Sequence, residues 1–196
     1  MKPTQTVLET RDLTKIYNGT PVVDKLNLTI EEGEIFGFLG PNGAGKTTAI
    51  LMILGLTEPS SGEVSVFGHN STREPLKVKR ITSYLPENVG FYEDLTAWEN
   101  LFYVTRLNNI PDKEAKERIE EILSLVGLSK VKHLEVGKFS KGMKQRLGLG
   151  TVFVKKPKFA ILDEPTTGID PQGVEEILNL IIKANREENI TIFLCS

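Results

Sequence analysis

Cysteine is nearly absent from this chain: among 196 residues there is one, Cys195. An internal disulfide is therefore excluded, and the chain suits a reducing compartment. Positive charge is not in excess either. Lys and Arg number 24 against 26 Asp and Glu, a net charge of -2. A domain built mainly to hold nucleic acid carries a basic surface, so that class is disfavoured. Long apolar runs are missing too. The longest, "AILMILGL" at residues 49–56, is well below the roughly 18 residues that a membrane-spanning helix needs. The opening "MKPTQTVLETRDL" has no apolar segment of the secretory type. No internal repeat and no low-complexity tract is present. What remains is 39% hydrophobic and 26% charged residues, ordinary for a globular protein. The length suits one domain, alone or with a lobe.

The first third is strand-like. "VLETRDLTKIY" alternates weakly, and "LNLTI" (26–30) alternates cleanly, as a half-buried strand does. "IFGFLG" is a nearly continuous apolar run, which predicts a strand buried on both faces. "GKTTAILMILGL" has helical composition and ends near Gly55, and "PSSGEVSVFGHN" predicts turn, strand, turn, with His69 in the second turn. The middle, from about Thr96 to Gly127, is helical. Asp112 is expected to cap "DKEAKERIEEILSLVG" after Pro111. Ala115, Ile119, Ile122, Leu123 and Val126 share one face and Gly127 ends the helix. Its opposite face of Lys, Glu and Arg is expected to be solvated, and His133 is expected in a loop. The last third holds an apolar strand "KFAILDEP", a helix opened by Pro171 and a buried strand "ITIFLCS". Alternating strands and helices around a glycine loop predict a mostly parallel sheet with helices on both faces.

The glycine loop is the strongest local signal. Gly40, Gly45, Lys46 and Thr47 meet the pattern G-x-x-x-x-G-K-[ST], between an expected strand and an expected helix. Glycines let the backbone curl until successive N–H groups point inward as an anion nest. The helix behind adds its positive end. Lys46 supplies a point charge for β- and γ-phosphates, and the Thr47 hydroxyl can ligate Mg²⁺. A second signal is the carboxylate pair after four apolar residues, Asp163 and Glu164. A carboxylate at the C-terminal end of a parallel strand lies where nucleotides bind. Asp163 is suited to hold Mg²⁺, and Glu164 to act as general base toward the attacking water.

Several motifs, in order along essentially the whole chain, resemble the ATP-binding cassette (ABC) transporter ATPases. "GPNGAGKT", with Gly40, Pro41, Asn42, Gly43, Ala44, Gly45, Lys46 and Thr47, then Thr48, looks like the Walker A loop. "FAILDEP" resembles Walker B with its catalytic Glu164, and "FSKGMKQR" the signature motif, carrying Ser140 and Gly142. "TGIDP" resembles the D-loop, with Asp170, and Tyr17 stands where the family stacks an aromatic on adenine. The resemblance implies an α/β fold: a P-loop NTPase core with a mostly parallel sheet, an N-terminal antiparallel β subdomain and an inserted α-helical subdomain. The core is expected over 1–85 and 157–196, the helical subdomain over 86–156. It also implies ATP and Mg²⁺ as cofactors and a second ABC subunit, in a homodimer that sandwiches two nucleotides head to tail. Each nucleotide then lies between one Walker A loop and the partner's signature. Transmembrane permease subunits are the further partners, at the inner face of the cell membrane, and no nucleic acid is expected.

The chain departs from the family at three places. The signature reads Phe-Ser-Lys-Gly-Met rather than Leu-Ser-Gly-Gly-Gln, and Glu87 in "YLPE" replaces the usual Q-loop glutamine. A carboxylate there still reaches Mg²⁺ or its water but cannot donate as an amide does. Both variants resemble exporters of drugs, antibiotics, sodium or lipid-linked compounds. The family's histidine after the last strand has no counterpart before Ser196, so a truncated chain is expected. Phe91, Tyr92 and Trp98 are candidate contacts to a membrane subunit, with lobe packing the equal alternative for Trp98. Two further functional readings stay open: a soluble ABC-type ATPase acting on nucleic acid or ribosomes, and a nucleotide-binding cassette with little turnover.

Overall fold

The computed structural model describes residues 5–196. Residues 1–4, counted with the core in the sequence reading, lie outside the described residues. Strands β1 (Thr6–Tyr17) and β2 (Thr20–Glu31) form a long hairpin, followed by β3 (Ile35–Phe38) and helix α1 (Lys46–Ile53). Next come β4 (Ser61–Val66), β5 (His69–Asn70), α2 (Pro75–Ile81) and β6 (Thr82–Leu85). The helices α3 (Ala97–Leu107), α4 (Asp112–Leu125) and α5 (Lys141–Phe153) follow, then β7 (Phe159–Asp163), α6 (Pro171–Glu188) and β8 (Thr191–Cys195). Two sheets result. One is antiparallel, in the order β2-β1-β4-β5; the other is parallel, in the order β3-β8-β7-β6.

Period-two alternation in the parallel sheet divides the core. On β7, Phe159 and Ile161 face a cluster that includes α1 and the inner face of the antiparallel sheet. Ala160 and Leu162 face the other cluster, which includes α3, α4, α5 and α6. On β8, Phe193 and Cys195 take the first side, Ile192 the second. Helices therefore cover both faces of the parallel sheet, as the alternating strand and helix pattern predicts. The helical segment is no separate globule, because its core is continuous with one face of that sheet.

Local chemistry sets the helix ends. Thr96 and Glu99 form a reciprocal capping box at α3: the Thr96 hydroxyl accepts from the Glu99 N–H at 3.2 Å, and the Glu99 carboxylate from the Thr96 N–H at 2.8 Å. At the end of α4, Gly127 takes φ +70°. Its N–H and that of Leu128 bond back to Ser124 and Leu123, which closes the helix with a left-handed residue.

Four expectations need correction. β3 is not buried on both faces, since Ile35 and Gly37 are exposed. Among the described residues the strand pairs with β8 alone. Asp112 is the first residue of α4, not its cap; Pro111 holds that position, and the Asp112 carboxylate pairs with Arg106. His69 sits in β5, opposite Val66, beside the turn rather than in it. The charged face of α4 is not wholly solvated either. Arg118 is 4% exposed and donates to both carboxylate oxygens of Glu188, at 2.8 and 3.0 Å, and to the Phe153 carbonyl at 2.9 Å. It ties α4 to the ends of α5 and α6. Breaking a buried ion pair strands its partner, but the Glu188 side chain keeps 25% exposure. Arg118→Ala is therefore expected to remove about 2–3 kcal/mol of stability, below the fully buried case. A urea midpoint lowered at constant slope is the measurement; no change would leave the pair without a stabilising role.

Candidate phosphate-binding site

The loop between β3 and α1 is shaped from two directions. Gly43 and Gly45 take φ +83° and +86°, which side chains rarely adopt. A Cβ at Gly45 would also lie 2.2 Å from the Val22 carbonyl oxygen of β2, so the antiparallel hairpin presses directly on the loop. On the other side, the Gly40 N–H donates to Ser196 O at 3.1 Å. No side chain caps α1 and no acidic residue sits in its first turn. Its first amides thus face the cavity without helical acceptors. Lys46, 9% exposed, donates to the Gly40 carbonyl at 2.6 Å and lies 3.4 Å from the Glu164 carboxylate.

Parallel register brings the second half of the site together. Asp163 ends β7 at 2% exposure and pairs in register with Cys195 on β8. One of its oxygens, Oδ2, accepts from the Thr47 hydroxyl at 3.2 Å and from the Tyr84 hydroxyl at 3.3 Å. Burial, then the Asp163 charge, pushes the Tyr84 phenol well above its ordinary value. The same two causes, in that order, push the Cys195 thiol up to about 12. Glu164 follows with φ +50°, a strained conformation for a side-chain-bearing residue. Two contacts hold it: its N–H donates to Cys195 O at 2.9 Å, and its carboxylate accepts from the Thr167 hydroxyl at 2.9 Å.

A cavity of about 370 Å³ gathers these groups, with Asn42, Gly43, Gly45, Lys46, Thr47, Thr48, Glu87, Asp163 and Glu164 among its walls. Gly40, Pro41 and Ala44 shape the loop behind them. Thr47, Asp163 and Glu87 offer hard oxygens, the donor type that Mg²⁺ takes. Among the described residues no cluster of three His, Cys, Asp or Glu is present.

Of the predicted residues, Ser140, Gly142, Asp170 and Tyr17 lie elsewhere. Ser140, Gly142 and Asp170 line a separate groove of about 720 Å³ between α5 and the start of α6. Ser140 caps α5 by accepting from the Met143 N–H at 3.2 Å, and Asp170 caps α6 by accepting from the Gly173 N–H at 3.0 Å. Thr167 borders the first cavity and Gly168 the second, so adjacent residues divide them. Tyr17 lines neither; it is exposed at the end of β1, with the Lys15 ammonium 5.1 Å above its ring. Sequence reasoning missed Tyr84, Thr167 and Cys195. For Cys195 the available signal was a polar side chain at the end of the apolar strand "TIFLC"; Tyr84, in "TSYL", and Thr167, outside both strands, had none.

A strand–glycine loop–helix with an acidic strand end beside it, on a parallel sheet, defines a P-loop nucleotide-binding domain. Residues 23–167 match the family described as ABC transporter, and the chain belongs to that family. It is 46% identical over 191 residues to the bacitracin transport ATP-binding protein BcrA of Bacillus licheniformis, covering 97% of this chain and 61% of that protein. It is 38% identical to the daunorubicin/doxorubicin resistance ATP-binding protein DrrA of Streptomyces peucetius, covering 98% of this chain and 58% of that one. The chain thus spans about three fifths of the length of these relatives. Among solved structures, cbiO1 of Clostridium perfringens, part of the ABC transporter complex cbiONQ, superposes with a TM-score of 0.90 at 28% identity. That match covers 98% of this chain and 78% of the other.

Proposed function

We propose that this chain is the ATP-hydrolysing part of an ABC transporter of the exporter type. One observation carries the reading: a single cavity gathers Lys46, Thr47, Asp163 and Glu164 behind a phosphate-binding loop. Lys46 and the loop amides bind the β- and γ-phosphates. Mg²⁺ held by Thr47, Asp163 and Glu87 would neutralise phosphate charge and fix phosphate geometry. Glu164 accepts a proton from the attacking water as its oxygen bonds to the γ-phosphorus. The bond to the bridging oxygen breaks, and ADP carries that oxygen away. Before this, the contact between Lys46 and Glu164 must open, because each side chain has a separate partner during hydrolysis.

The second groove supports a two-copy arrangement. Ser140 and the N-terminal amides of α5 suit anionic oxygens and stand apart from this chain's own loop. They are suited to close the nucleotide cavity of a second copy, with Asp170 at the same boundary. Tyr17, exposed at the end of β1, is our candidate for the adenine face. Residues 1–85 and 157–196 act as the nucleotide-binding core, and 86–156 as the helical subdomain. None of the described helices is long and apolar enough to cross a membrane. Separate membrane subunits are our proposed transport path, with this chain docked on their cytoplasmic side. Nucleotide-dependent phosphate release by the purified protein tests the enzymatic reading. Release no faster than from a Glu164 variant would remove it.

The Tyr84 hydroxyl has a distinct part. Its bond to Asp163 Oδ2 limits how the carboxylate turns toward the metal. Outer-sphere partners of this kind contribute about tenfold or more to metal affinity. Tyr84→Phe keeps the ring and removes only the bond. Mn²⁺ affinity in the nucleotide complex, read by electron paramagnetic resonance, is expected to fall about tenfold with an unchanged unfolding midpoint. Equal affinity would assign Tyr84 to packing alone.

A further inference from the structure

At the opposite end of β6 from Glu87 lies a small pocket of about 120 Å³ that the proposed chemistry leaves unused. Lys79 and Arg80 come from the last turn of α2, and Thr82 and Ser83 from the start of β6. Asn108 closes α3, and Lys155 lies just beyond α5. Among the described residues no carboxylate lines the pocket. Among the described residues, none of the three cations forms an ion pair. Burial pushes the Lys155 ammonium below the ordinary lysine value, with no carboxylate to restore it. Thr82, 6% exposed, has a buried hydroxyl with no hydrogen-bond partner. A buried polar group without a partner is unfavourable and calls for an explanation.

The ordinary explanation for such cations is the negative end of a helix. Three helix ends converge here, those of α2, α3 and α5. Each contributes roughly half a negative charge, against three full positive ones. A surplus of roughly one and a half positive charges remains, close to the charge of a phosphate group near neutral pH. The free donors are of the right kind: an ammonium group, a guanidinium group and a hydroxyl, all of which favour anionic oxygen. Asn108 donates one of its two amide N–H groups to the Val104 carbonyl at 2.8 Å, which leaves one further donor. At a third of the volume of the 370 Å³ nucleotide cavity, the pocket suits a single tetrahedral group rather than a nucleotide. We propose that Lys79, Arg80, Lys155 and the Thr82 hydroxyl form a second anion site, for a phosphate-type oxyanion that is either free or the headgroup of an anionic lipid.

The test is a backbone amide NMR titration with inorganic phosphate, against chloride at matched ionic strength. A non-hydrolysable ATP analogue is kept in excess, and signals of the glycine loop are read separately. The Thr82, Ser83 and Lys155 amides are expected to shift saturably with phosphate. Lys155→Met and Arg80→Gln are each expected to weaken that response at least fivefold. Arg80 is exposed, so its variant retains the test if the Lys155 variant fails to fold. In parallel, flotation with phosphatidylglycerol vesicles is compared with flotation on phosphatidylcholine. A phosphate response without flotation assigns the site to a free oxyanion. Flotation specific to phosphatidylglycerol and lost in both variants assigns it to a lipid headgroup. Neither response, or an equal response to chloride, overturns the proposal. None of these outcomes depends on whether the chain hydrolyses ATP.

Discussion

Glu164→Gln is expected to slow ATP hydrolysis by about 10²–10³-fold while ATP affinity stays close to that of the parent chain. The substitution is nearly isosteric. It keeps an acceptor for the Thr167 hydroxyl and the backbone bond to Cys195 O, so the φ +50° conformation stays anchored. What disappears is the carboxylate that accepts the proton of water. The contact with Lys46, 3.4 Å away, also loses its charge, which frees the ammonium for phosphate and holds binding up. Single-turnover phosphate release, with binding measured separately by fluorescent nucleotide, distinguishes the two effects. A parallel loss of affinity and rate would show Glu164 to be a structural support of the loop. Unchanged turnover would remove it as the base.

Lys46→Ala is expected to act on the other term. A charge-assisted contact to phosphate in a low-dielectric cavity is worth about 2–4 kcal/mol when truncated. ATP affinity should therefore fall about thirty- to a thousandfold. Two further effects point the same way. The carboxylates of Glu164 and Asp163 then share the cavity with phosphate and no neighbouring ammonium. The Gly40 carbonyl also loses its 2.6 Å donor, which loosens the loop itself. Calorimetric titration with ATP gives the size of the loss. Affinity within twofold of the parent would place the binding energy in the backbone amides alone.

How far the sequence discloses this site depends on the range of the interaction. The loop is legible because its chemistry is local. Gly43, Gly45, Lys46 and Thr47 are neighbours in the chain, and the backbone conformation they need restricts their identity. The end of β7 is legible for the same reason, as four apolar residues precede two acids. The alternating faces of β2 and the buried stripe of α4 follow from periodicity alone. Burial of β3 is misjudged because composition does not reveal how much of a strand its neighbours cover. "IFGF" is apolar enough for a central position, yet among the described residues it has one ladder partner. Tyr84 is missed because its contact with Asp163 spans 79 positions and depends on the pairing of β6 with β7. Arg118 is missed because a charge run predicts solvent, and only the packing of α4 against the ends of α5 and α6 puts one of those charges inside.

The pairing of β3 with β8 also has a consequence in time. Its partner is β8, with Ile35 beside Ile192 and Phe38 beside Cys195. The strand that launches the glycine loop thus gains its ladder only after more than a hundred intervening residues have been synthesised and arranged. Closing so long a loop is entropically unfavourable until native contacts reward it. The anion nest therefore matures only after β8 has emerged, although its own sequence lies more than a hundred residues upstream. Nucleotide capture then reports that β3 has met β8, and a nascent chain stalled before β8 holds every loop residue without the strand that supports them.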